Sequence, residues 1–179
     1  MIDNSKMMIG EHFTYRGIEW ICLDIIDGNY LAITAQVWQK LPFDVDCYND
    51  WKESSLRKTL NKEFLSKLVK KHLVIQSTDL IADNGDKAYG TSEDYVTILS
   101  CDQYRKYHDI VTLFAEWMWT LTPCGTSHAV RNVGPDGYIY SNYAYNSFGV
   151  APVVLFSAEH LKLSRQTRLV EIKKPKKET

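Results

Sequence analysis

Cysteine is scarce and scattered. The chain of 179 residues holds four, at Cys22, Cys47, Cys101 and Cys124, with no C-x-x-C pair and no regular spacing. That argues against a zinc site built on paired thiols and against the disulfide framework of a small secreted domain, and favours reduced, mostly buried thiols. Net charge is nearly absent at −1. The chain therefore does not coat nucleic acid over its whole surface, nor mimic nucleic acid with an acidic one, and any such contact must be local. Long apolar runs are missing as well, and Asp3, Asn4, Ser5 and Lys6 interrupt the N-terminus where a signal peptide needs an apolar centre. A soluble, cytoplasmic protein that meets no membrane is the expectation.

What the chain has in quantity is aromatic side chain. Eleven Tyr and five Trp supply residues that serve cores and recognition surfaces alike. The length suits one globular domain, taken as residues 1–172 with a basic flexible tail over 173–179.

From Phe13 to Ala35 apolar and polar residues alternate around Gly17 and around Asp27-Gly28, the pattern of a β meander. A polar loop follows with Asp44, Asp46, Asn49 and Asp50. It lacks the glycine and distal glutamate of an EF-hand, so it reads as a solvated loop. No motif asks for a metal or a cofactor. Leu56, Leu60 and Phe64 then share one helical face, extended by Leu65, Leu68 and Val69. This predicts a long helix over 52–70, capped by Asn49 or Asp50. Strands are expected at Leu73–Ile81 and Asp94–Ser100, then a second helix over 101–117 capped at Ser100 or Asp102. Cys101 with His108 offers a thiol and a base, but no third group at recognisable spacing orients them.

The pattern Trp51-x-x-Ser54-x-Leu56-Arg57-x-x-Leu60-Asn61-x-x-Phe64, with Tyr95–Ser100, Trp119-x-x-Thr122-Pro123 and Gly149-Val150-x-Pro152, resembles a bacterial and phage family known only as a domain of unknown function. The likeness spans roughly residues 9–157, about one domain. Family members carry arginine where this chain has Leu121 and Ala151, so an ion-paired or anion-binding element is exchanged here for an apolar one. The late Trp-rich strand, glycine-rich loops and closing strand are also similar to the C-type-lectin-like fold. The resemblance implies an α+β domain with an antiparallel sheet and two helices. It implies no formylglycine-generating activity, because Cys124 has no neighbouring cysteine, and no calcium-dependent sugar site.

Between those family-like strands, Gly134-Pro135-Asp136-Gly137 reads as a turn joining a strand near His128–Val133 to one over Tyr138–Tyr140. Tyr138 and Tyr140 share a face, and Tyr143 and Tyr145 extend that aromatic surface. With His128, Arg131 and Asp136 they form an adaptable recognition surface. The plainer account is that the tyrosines complete a small β core. Lys173, Lys174, Lys176 and Lys177 in the tail could touch nucleic acid locally, or could simply aid solubility.

The function expected is a non-enzymatic phage or mobile-element protein that binds a protein or ribonucleoprotein, in one form an anti-CRISPR-like inhibitor of a defence nuclease. A metal-independent ribonuclease using His128 or His108 beside a cation is the first alternative, and a ligand-binding module of a phage tail or virion the second.

Overall fold

The computed structural model describes residues 6–111 and 115–161. The tail with Lys173, Lys174, Lys176 and Lys177, and part of the second predicted helix, lie outside the described residues. In chain order the strands are β1 (His12–Tyr15), β2 (Ile18–Ile26), β3 (Asn29–Thr34), β4 (Gln39–Pro42), β5 (Leu73–Val74), β6 (Gln76–Asp79), β7 (Thr91–Asp94), β8 (Val96–Thr97), β9 (Met118–Cys124), β10 (Ala129–Val133), β11 (Ile139–Tyr143), β12 (Ser147–Val150) and β13 (Val153–Phe156), with short helices α1 (Ser55–Thr59) and α2 (Cys101–Lys106). One sheet runs β1-β2-β3-β13-β5 with β8 also on β13, a second runs β11-β10-β9-β12-β4, and β6 pairs with β7 alone. Among the described residues the fold is mixed α+β, mostly strand in three sheets with few short helices. In the C-terminal half β9, β10 and β11 pair antiparallel, as expected, but β12 joins β9 in parallel and the two expected helices are much shorter.

The meander forms as its turns dictate. Arg16 and Gly17 (φ 53° and 75°) and Asp27 and Gly28 (φ 48° and 79°) are the paired left-handed residues that two-residue hairpins require. Along β2, Trp20 and Cys22 enter one apolar cluster while Ile21 and Leu23 enter another. The sheet is therefore covered on both faces, and Trp20–Leu23 are apolar throughout, without the alternation expected of the meander.

Residues 147–156 hold the two larger sheets together. β12 lies between β9 and β4, and β13 lies between β3 and β5, so the chain passes from one sheet to the other at Ala151-Pro152. Gly149 is needed at that crossing: a Cβ there would come within 2.9 Å of the Trp117 carbonyl oxygen and 3.0 Å of Val37. The Gly149 N–H donates to the same carbonyl at 2.7 Å. Leu121 and Ala151 are both buried among apolar side chains, where a charged side chain would need a partner.

Both helices are shorter than predicted, for identifiable reasons. α1 is capped by Ser54, not by Asn49 or Asp50: the Arg57 N–H donates to Ser54 Oγ at 3.1 Å. A π-helical turn over Leu60–Phe64 and a 3-10 turn over Leu65–Lys67 follow, and the backbone is extended by Leu68 (φ −108°, ψ 164°). The segment is fixed by side chains from elsewhere. Asn61 grips β8 in both directions, donating to the Val96 carbonyl at 2.8 Å and accepting the Val96 N–H at 3.0 Å. Buried Asp94 accepts from Arg57 Nε at 2.7 Å, Trp51 Nε1 at 3.0 Å and Ser92 Oγ at 2.6 Å. The whole polar content of the motif is thus used to seat the helix. α2 is capped by Ser100 in a capping box with Gln103 and ends at Lys106. There Lys106 and Tyr107 bond the Asp24 carboxylate on β2 at 2.7 and 2.8 Å.

Candidate functional site

β10 and β11 form the predicted hairpin, in register from Ala129 opposite Tyr143 to Val133 opposite Ile139. The turn closes as its residues suggest, with the Gly134 N–H donating to the Tyr138 carbonyl and the Gly137 N–H to the Gly134 carbonyl, each at 2.9 Å. Asp136 accepts the Tyr138 N–H at 3.1 Å and the Tyr140 hydroxyl at 2.6 Å. Those two bonds hold its carboxyl below the usual range, and the carboxylate in turn pushes the Tyr140 hydroxyl up. Tyr140 meets Trp117 edge to face at 4.9 Å, and Trp117 stacks on Phe148 at 5.9 Å. Tyr138 stands open beside them, 71% exposed.

Tyr138 and Tyr140 share a face, as predicted. Tyr143 does not continue it. Alternation places Tyr143 on the face of Ile139 and Ser141, three residues out of phase with Tyr140. It stacks instead on Tyr145, with centroids 5.8 Å apart and planes 6° from parallel. The hairpin therefore carries two aromatic groups at its two ends.

The second group is assembled by three segments. The Asp44 N–H donates to the Ala144 carbonyl at 3.0 Å, the Ala144 N–H to the His128 carbonyl at 2.9 Å, and the Asn49 N–H to the Ser127 carbonyl at 3.0 Å. The His128 ring donates from Nδ1 to the Cys47 carbonyl at 2.8 Å; a carbonyl only accepts, so the proton sits on Nδ1 and leaves Nε2 open. Tyr48 lies 5.7 Å from the same ring. Cys47 itself has φ 64°, an uncommon conformation for a residue with a side chain. Beneath them buried Asn49 donates to the Ala129 carbonyl at 3.0 Å and to the Thr126 carbonyl, and accepts the Tyr89 hydroxyl at 2.7 Å. Asp44, also buried, takes the N–H groups of Tyr48 and Ser55, each at 3.0 Å. The polar loop read as solvated is thus half interior, a scaffold on which Tyr48, Tyr143 and Tyr145 are each 56% exposed.

Arg131 stands apart from both groups. Its guanidinium is ion-paired with Asp83 at 2.5 Å, and that bond raises its already high pKa. His128 and Arg131 therefore engage different partners, the Cys47 carbonyl and Asp83. His108 is exposed and pairs with Asp109 at 2.9 Å, while Cys101 is buried against Thr120 at 3.5 Å with its thiol pushed up by burial. A polar cleft of about 310 Å³ borders Asp79, Asp83, Cys101, Asp102 and Arg105, away from the tyrosines. Among the described residues no group of three or more His, Cys, Asp or Glu side chains is placed to hold a metal, and no helix is long and apolar enough to cross a membrane.

Two residues belong with the site although the pattern did not single them out. Tyr48 and Trp117 each join a group from outside the hairpin, and the available sign for Tyr48 was an aromatic residue inside an otherwise polar loop. Set against protein-family models, curated proteins and solved structures, the chain matches none, so the likeness drawn from the helix motif rests on its residues alone.

Proposed function

We propose that the protein acts without catalysis, by docking on a macromolecular partner through the aromatic group at the His128 end of the hairpin. The observation that carries this reading is the convergence there of Tyr48, His128, Tyr143 and Tyr145, exposed as side chains on a backbone fixed by the Asp44–Ala144, Ala144–His128 and Asn49–Ser127 hydrogen bonds. Tyrosines fixed in this way offer amphipathic contact area at small cost in conformational freedom, which is what interface anchors require. Asp136, Tyr138 and Tyr140 form the second contact group. A protein or ribonucleoprotein suits such a surface, and the concrete form proposed is a phage or mobile-element inhibitor of a bacterial defence nuclease, anti-CRISPR-like in action. A virion-borne ligand-binding module, built on a lectin-like variant of the fold, would use the same surface.

The open Nε2 of His128 favours one competing reading, a ribonuclease with that nitrogen as base. One experiment separates them. The purified chain is incubated with labelled RNA, and with guide-loaded defence nucleases and their target DNA. Intact RNA and nuclease inhibition that Tyr48→Ala and Tyr145→Ala weaken are the expected results. RNA cleavage that His128→Ala abolishes would overturn the docking reading.

A further inference from the structure

The two edges of the five-stranded sheet are treated differently. β4, at one edge, carries Lys40 and Pro42, residues that discourage further strand pairing. β11, at the other, reads Ile-Tyr-Ser-Asn-Tyr over residues 139–143, with no charge, no proline and no glycine. Nothing in that sequence protects the edge.

The hydrogen-bond phase says which groups it offers. The Gly134 N–H donates to the Tyr138 carbonyl and the Ala144 N–H to the His128 carbonyl, so the even-numbered residues of β11 face β10. By antiparallel alternation the N–H and C=O of Ile139 and Ser141, and the N–H of Tyr143, point away from the sheet. The Tyr143 carbonyl accepts the Asn146 N–H at 3.0 Å and keeps a second lone pair.

This edge is complementary to itself. Turned about a two-fold axis through Ser141, its outward groups meet their own partners: Ser141 faces Ser141, and Ile139 faces Tyr143 on both sides of the axis. An aromatic residue opposite a β-branched one is a favourable cross-strand pair. Ile139 is partly buried against the apolar cluster beneath the sheet, and a facing Tyr143, 56% exposed in one chain, would cover the rest of it. We propose that the occupant of the β11 edge is a second copy of this chain, paired antiparallel about Ser141 so that one sheet runs through both copies. The symmetry is that of a closed, isologous dimer, the commonest kind.

The pairing has a structural consequence for recognition. Within one chain the Tyr143–Tyr145 group and the Gly134–Gly137 turn stand at opposite ends of the hairpin. Across the axis the Tyr143–Tyr145 group of one copy lies alongside the turn of the other, with its Asp136 and Tyr138. The dimer thus presents two composite surfaces where the monomer has separated halves. The inference does not depend on the docking function, and a monomer would overturn it while leaving that function to its own test.

Sedimentation velocity on the full chain over a concentration series tests it. The expected result is a dimer fraction that rises with concentration. Ser141→Pro removes an outward N–H that the sheet itself does not use, and Tyr143→Lys replaces the ring that would face Ile139 with a charge. Each is expected to weaken dimerisation by about tenfold or more. Gln39→Lys, an equal change of charge on the opposite edge, is expected to leave it unchanged. A chain that is monomeric at every concentration, a dimer indifferent to both β11 substitutions, or equal weakening by Gln39→Lys overturns the proposal.

Discussion

Residues 51–64 and residues 125–147 have the same kinds of chemistry to offer, aromatic rings, hydroxyls, amides and an arginine each, and the fold treats them in opposite ways. In the first, Trp51 and Arg57 donate to Asp94, Asn61 donates to the Val96 carbonyl, and Ser54 donates to the Trp51 carbonyl while its oxygen accepts the Arg57 N–H at the helix end. In the second, the backbone is paired along β10 and the inner side of β11, while Tyr48 packed beside it and Tyr138, Tyr143 and Tyr145 within it send their rings to solvent. A dense motif can therefore mark a buried fastening, while a run without any motif carries the open surface. The presence of chemistry-bearing residues does not separate the two cases; the destination of their hydrogen bonds does.

The comparison breaks most easily at Asp94. Asp94→Ala leaves Arg57 and the Trp51 indole without their acceptor in the interior. Removing one member of a buried pair costs about 3–5 kcal/mol, and the lower end applies because the Arg57 side chain is 30% exposed. Chemical denaturation should register that loss. If stability stayed within about 0.5 kcal/mol of the parent, the motif would not be the fastening described.

A smaller effect sharpens the same side. His72, just beyond the motif, bonds the Tyr15 hydroxyl at 2.8 Å and stacks on His160 at 4.9 Å. Burial, and after it the positive charge of His160, Lys71 and Arg16, lowers its pKa. The unfolded chain then takes up a proton more readily than the folded one, so this contribution is fully present above about pH 6.5 and is lost as pH falls towards the lower folded value. Melting temperature should fall across that window, and His72→Gln should flatten the fall.

The smallest expected change belongs to the open surface. Tyr145→Ala removes an exposed stacked ring, and its cost to stability is expected to stay below about 1 kcal/mol. In a direct binding measurement the same substitution should weaken partner affinity by about tenfold or more, as loss of an anchor does. A large loss of stability with unchanged binding would reverse the assignment of the two regions.

Local features were legible where a local rule controls them. Asp27-Gly28 and Gly134 to Gly137 announced their turns, because positive φ and tight closure restrict the residue types allowed. Ser100 was among the expected caps and is the cap found. The long helix was over-extended because the spacing of Leu56, Leu60, Phe64, Leu65 and Leu68 continues past the point where the backbone turns extended. Periodicity reports which face is apolar, and cannot report that Asn61 is held by a strand 35 residues later. Tyr143 was placed with Tyr140 by composition, although odd spacing along one strand puts them on opposite faces. For the site, the seven hairpin residues were within reach of inspection, but Arg131's engagement with Asp83, 48 residues away, and Tyr48's approach from the preceding loop were not.

The sequence by itself determined the α+β character, the meander, the hairpin and the inventory of aromatic side chains, since these follow from alternation, turn chemistry and capping within a few residues. Only the tertiary structure decided which of those side chains remain available. Residues 147–156 enter both larger sheets as interior strands, and Asp94 gathers partners from across the chain. Such contacts join residues far apart in sequence, where no local propensity acts and packing alone chooses the partner.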